Sequence, residues 1–116
     1  MVIEIIREPI GRDALRQIAR KQFFDFVKAV VDTEQKIMAI GGELHADEEV
    51  LLSEETGSKR ENTWGVNLYP DKTGDDWIEF NSMVNIKPHL GNRSRDVENP
   101  EIREKIRAVV NQLVRD

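Results

Sequence analysis

The stretch TWGVNLYPDKTGDDWIEFNSMVNIKP, residues 63–88, constrains the fold more than any other part of the chain. Trp64, Val66 and Leu68 alternate with Gly65, Asn67 and Tyr69, and Pro70 stops the run. After a turn rich in Asp and Gly, Ile78, Phe80, Ser82, Val84 and Ile86 alternate with Trp77, Glu79, Asn81, Met83, Asn85 and Lys87. A period of two sends successive side chains to opposite faces of a sheet, so each run reads as a half-buried strand. Two such runs flanking a short turn predict an antiparallel pair, the second strand extending from Trp77 to Lys87.

The remaining segments attach to that pair. Val2 to Ile6 reads as a strand ended by Pro9. Leu15, Ile18 and Ala19 recur at helical spacing between Arg12 and Gln22, with Asp13 in the first turn, where a carboxylate suits the helix dipole. Val27–Thr33 and Lys36–Ile40 are β-branched and predict a hairpin turning at Glu34-Gln35. HADEEVLLSEETGS predicts a short acidic helix closed by Gly57. Asn99 and Pro100 start a last helix whose apolar stripe is Ile102, Ile106, Val109, Val110 and Leu113. The order β-α-β-β-α-β-β-α predicts an α+β fold: a mostly antiparallel five-stranded sheet with three helices covering one face, a single domain over residues 1–116.

Charge and composition narrow the function classes. Seventeen Lys and Arg against 22 Asp and Glu leave a net charge of −5, which opposes binding of duplex nucleic acid and of an anionic membrane. No run approaches the ~18 apolar residues of a membrane span, and MVIEIIREPIG has charges inside its short apolar run, unlike a signal peptide. These features predict a soluble cytoplasmic protein. Without cysteine there is no thiol catalysis and no cysteine-ligated zinc, and no serine lies in a nucleophile-elbow sequence. No phosphate loop or dinucleotide fingerprint is present, and no cofactor is implied.

Three groups of residues carry chemistry. In GGELHADEE, an extended backbone would put Glu43, His45 and Asp47 on one side, where they could ligate a metal. The plainer reading packs His45 at a corner and gives Asp47 to the helix start. In GNRSRD, Arg93 and Arg95 could clamp a phosphate or carboxylate, with Asn92 and the loop N–H groups assisting. Alternatively both arginines pin the loop to acidic neighbours such as Asp96, Glu98, Glu43 or Glu79. Asn67, Glu79, Asn81 and Asn85 would share one polar strand face, an unusual use of asparagine, which strands disfavour. They either receive a ligand or satisfy buried backbone.

The segments AVVDTEQKIMAIGGELHADEE, WGVNLYP, WIEFNSMVNIKP and GNRSRDVENPEIREKI together resemble a family of small prokaryotic proteins grouped as a domain of unknown function. The resemblance covers nearly the whole chain and implies one intact domain and a prokaryotic source, with no catalytic residues to transfer. The residues themselves favour a non-catalytic module that binds a small anionic ligand or an acidic protein segment at the Arg93/Arg95 loop and the amide-rich strand. A metal-assisted hydrolase acting on phosphoesters through Glu43, His45 and Asp47 is the second reading. A homo-oligomeric or partner-binding protein using Trp64, Trp77 or Tyr69 is the third, since aromatics are enriched in interface cores.

Overall fold

The computed structural model describes residues 2–116. Strands β1 (Glu4–Ile6), β3 (Val27–Asp32), β4 (Ile37–Ile40), β5 (Thr63–Leu68) and β6 (Ile78–Glu79) form one antiparallel sheet in the order β1-β4-β3-β5-β6. Three helices accompany it: α1 (Arg12–Lys21), α2 (His45–Thr56) and α3 (Pro100–Leu113). This is the expected α+β arrangement in the expected order. The sequence pattern missed two short strands, β2 (Ile10–Gly11) and β7 (Val114–Arg115), which pair in parallel and tie the entry to α1 to the end of the chain.

The apolar stripes decide where the helices lie. Leu15 and Ala19 of α1, with Ile106, Val109, Val110 and Leu113 of α3, pack on Val27, Ala29, Val31, Trp64, Val66 and Leu68. That face of the sheet holds the main core. Helix α2 instead covers the opposite face, with Leu52 against Val30, Ile37 and Ala39. The expectation of all helices on one face is thus corrected: the sheet is sandwiched. Trp64 and Trp77, only 2% and 3% exposed, are core residues rather than surface anchors.

The second correction concerns the predicted strand from Trp77 to Lys87, which ends at Glu79. Beyond it the chain pulls in against β5 and forms a 3-10 turn over Met83–Asn85. The cause lies at Gly65. An added Cβ there would meet Ser82 Oγ at 2.5 Å, so only glycine admits this close crossing. Asn85 then takes the role of the missing strand: its Oδ1 accepts the Gly65 N–H at 2.7 Å, and its Nδ2 donates to the Gly65 carbonyl at 2.9 Å. One amide thereby satisfies both backbone groups that strand pairing would have used. Lys87, 1% exposed, locks the segment to α2: Nζ donates to the Val84 carbonyl at 2.7 Å, lies 3.5 Å from the Glu49 carboxylate, and sits over Trp64. Burial pushes the Lys87 ammonium below its usual pKa, partly offset by Glu49.

Candidate functional site

The register of the sheet places Lys28 of β3 opposite Asn67 of β5, and Asn67 opposite Glu79 of β6. All three therefore lie on one row of the face that α2 covers. Asn67 Nδ2 donates to Glu79 Oε1 at 2.8 Å and to the Asn81 carbonyl at 3.3 Å. Arg95 Nε donates to Asn81 Oδ1 at 2.8 Å, which brings the cationic loop to the same row. Tyr69 hydroxyl reaches Glu79 Oε1 at 3.4 Å.

Helix α2 points its first residue into this row. His45 Nε2 lies 2.9 Å from the Val66 carbonyl. A carbonyl can only accept, so Nε2 carries the proton and Nδ1 is bare in the neutral ring. Burial lowers the His45 pKa, and the positive charges of Lys28 and Arg95 push it further down against the opposing Val66 bond. The Asn67 amide lies beside the imidazole. That contact, like the Val66 carbonyl, works against the fall in the His45 pKa.

Two cations at this end of α2 lack a carboxylate partner. Lys28 Nζ donates to the Glu43 carbonyl at 2.9 Å and lies over the Phe23 ring, and Arg95 has only the Asn81 amide. Neither forms an ion pair among the described residues, which they share with Arg7, Arg93 and Arg115, while Arg12, Arg16, Arg20, Arg60, Arg103 and Arg107 do pair. The helix start adds partial positive charge, since its cap residue, Leu44, offers no side-chain acceptor to the first N–H groups, although the exposed Asp47 in the first turn offsets part of it. On the inner side, Glu48 is fully buried, with Oε2 accepting the Gly42 N–H at 2.9 Å. Desolvation raises its pKa well above the usual carboxylate value, against the Gly42 hydrogen bond and Lys28.

The candidate residues divide between this cluster and the protein interior. Asn67, Glu79, Asn81 and Arg95 are brought together. Asn85 is fully buried against Gly65, with Nδ2 also donating to the Arg95 carbonyl at 3.0 Å. Asn92, also buried, organises its own loop: Nδ2 donates to the Asn85 and Asp96 carbonyls at 2.7 Å each, and Oδ1 accepts the Glu98 N–H at 2.8 Å. The anion that the loop N–H groups hold is internal. Glu98 Oε2 accepts from the Arg93 and Ser94 N–H groups, both at 2.9 Å, and from Ser94 Oγ at 2.8 Å. The Ser94 hydroxyl and these N–H groups hold the Glu98 pKa below its usual value. Arg93 contributes its backbone there, and its side chain is exposed.

Helix α2 begins at His45, so Glu43, His45 and Asp47 are not an extended triad. Among the described residues, no group of three or more His, Asp or Glu is placed to hold a metal ion. No helix among them is long and apolar enough to cross a membrane. Lys28 was missed because its place depends on strand register. The one readable signal was a lone charged residue inside the apolar run VKAVV.

No curated protein matches the chain, and no solved structure does. A family model described as "Protein of unknown function (DUF5674)" matches residues 4–113. Since that span takes in every helix, all five strands of the main sheet and the whole Lys28–His45–Asn67–Arg95 cluster, the chain belongs to the family of proteins of unknown function DUF5674.

Proposed function

We propose that this protein is a non-catalytic module that binds a small anionic ligand, or the acidic segment of a protein partner, at the α2 start. Lys28 and Arg95 supply the charge, His45 stands beside them, and Asn67, Glu79 and Asn81 hold that frame in place. The single observation that carries the reading is a pair of cations, Lys28 and Arg95, with no carboxylate partner beside an uncapped helix start. Cations and helix N-terminal N–H groups each favour an anion, and together they define where it would sit. Arg93 belongs to the rim of the neighbouring loop, where Glu98 already takes the N–H groups an anion would use. The net charge of −5 supports a small ligand over duplex nucleic acid. Composition and the family resemblance support a cytoplasmic protein of a prokaryote.

Thermal unfolding with phosphate, sulfate, citrate and an acidic peptide, each matched for ionic strength with chloride, tests this reading. An anion at about 100 times its dissociation constant adds about 2.7 kcal/mol. The expected result is a saturable rise in melting temperature that Arg95→Gln and Lys28→Gln each reduce and Arg93→Gln leaves in place. No response to any of the four ligands refutes the reading.

A further inference from the structure

The α1–β3 connection builds an aromatic stack against the same corner. The Phe23 and Phe26 rings lie 4.9 Å apart, 7° from parallel, and Phe26 continues to Tyr69 at 5.3 Å. All three rings are half-buried, so their edges reach the surface. The Lys28 ammonium lies 4.8 Å from the centre of Phe23, and the Lys72 ammonium 4.3 Å from that of Tyr69. The stack and the anion site share parts: Lys28 belongs to both, and the Tyr69 hydroxyl reaches the Glu79 carboxylate that holds Asn67. A stacked phenylalanine pair with Tyr69 tilted 37° beside it, next to cations without ion pairs, is costly to leave at a surface merely for solubility, and a flat anion complements both features.

We propose that the anion received at Lys28, His45 and Arg95 is carried on a planar aromatic group, as in a nucleoside monophosphate or an aromatic carboxylate, whose ring joins the stack on Phe23. This rests on the anion-binding reading above and names the class of ligand. The position over Phe23 is now taken by the Lys28 ammonium, whose other contact is a backbone carbonyl. A phosphate or carboxylate is a stronger partner for that ammonium than either. Lysine carries its charge on a flexible stem, so turning toward the anion also uncovers the ring face. Stacking and charge pairing thus reinforce each other at one residue. Burial raises the Tyr69 hydroxyl pKa, and the neighbouring Glu79 and then Asp25 add to the rise, so the Tyr69 end carries negative charge and Lys28 the positive charge an anion needs.

Calorimetric titration of the full chain compares matched ligand pairs: adenosine monophosphate with ribose 5-phosphate, and benzoate with acetate, with inorganic phosphate and adenosine as references. A stacked ring contributes about tenfold or more in affinity. The expected result is that each aromatic anion binds at least about tenfold tighter than its non-aromatic partner. Phe23→Leu should erase that margin while ribose 5-phosphate binding persists, and the margin in the unaltered protein decides the matter should this variant unfold. The nucleotide and carboxylate arms separate the two ligand sources by which pair shows the larger margin. Equal affinities within both pairs, or adenosine binding as tightly as its monophosphate, overturn the proposal and leave anion binding standing. Failure of every anion to bind, inorganic phosphate included, overturns the underlying reading as well.

Discussion

Replacing Asn85 by alanine should cost far more than replacing Asn81, although the two lie four residues apart in one polar run. Asn85 is fully buried and satisfies the Gly65 N–H, the Gly65 carbonyl and the Arg95 carbonyl. Alanine strands the first two. The Arg95 carbonyl keeps its second donor, the Ser82 N–H at 3.0 Å. Each buried, unsatisfied backbone group costs about 1–3 kcal/mol, so the variant should lose about 3–5 kcal/mol. That is a large share of the ~5–15 kcal/mol that holds a domain of this size together. With a urea m-value of about 2 kcal/mol/M, the unfolding midpoint should fall by roughly 2 M. Asn81 is exposed and accepts one hydrogen bond from Arg95, so Asn81→Ala should cost under about 1 kcal/mol. Asn85→Asp adds a diagnostic, because a carboxylate would face two carbonyl oxygens and should recover part of its loss as acid protonates it. An Asn85→Ala midpoint within about 0.5 M of the unaltered protein would refute the argument that this amide replaces a strand.

Glu48 and His45 should shape the pH dependence in opposite senses. The folded state holds the Glu48 proton more tightly than the unfolded chain, so stability is lost as pH rises above about 4.5 toward the folded pKa, and Glu48→Gln should flatten that slope in urea titrations. His45 is held below its usual 6.5, so the unfolded chain takes up its proton first and stability falls as pH drops below about 6.5; His45→Gln should remove this loss. Lys36 adopts φ 59°, a left-handed conformation, and Lys36→Gly should raise stability by up to about 1 kcal/mol, read from the melting temperature. Zn²⁺, Mn²⁺ or Mg²⁺ added to chelator-treated protein should shift the melting temperature little, and a saturable shift lost in His45→Ala would restore the hydrolase reading.

Much of the fold was legible because alternate side chains built the larger apolar core, even though β5 is buried on both faces. Trp64, Val66 and Leu68 alternate inward as expected, and the α3 stripe buries Ile106, Val109, Val110 and Leu113. The run after Glu79 kept the same alternation without being a strand. Ser82 and Val84 face Gly65 in an irregular crossing, and a period of two cannot distinguish that from a pleat. Helix α2 gave no sign of its face, because its buried residues are Leu52 with two glutamates, Glu48 and Glu49, which a polarity pattern assigns to solvent. The candidate cluster was partly legible: Asn67, Glu79 and Asn81 were read as one polar strand face and Arg95 as half of a loop clamp, and these four do meet. What joined Lys28 and His45 to them was strand register and a helix start, and neither is written in local sequence.

Proton titration of His45 by NMR, with and without phosphate, addresses the central claim most directly. His89, exposed and the only other histidine, serves as internal reference, and chloride matches ionic strength. In the free protein, burial, Lys28 and Arg95 hold the His45 pKa down. An anion seated between those cations favours the imidazolium, so phosphate should raise the His45 pKa, and the rise should vanish in the Lys28→Gln/Arg95→Gln double variant. A His45 pKa that phosphate leaves unchanged, or that rises equally in the double variant, would contradict an anion site at the start of α2.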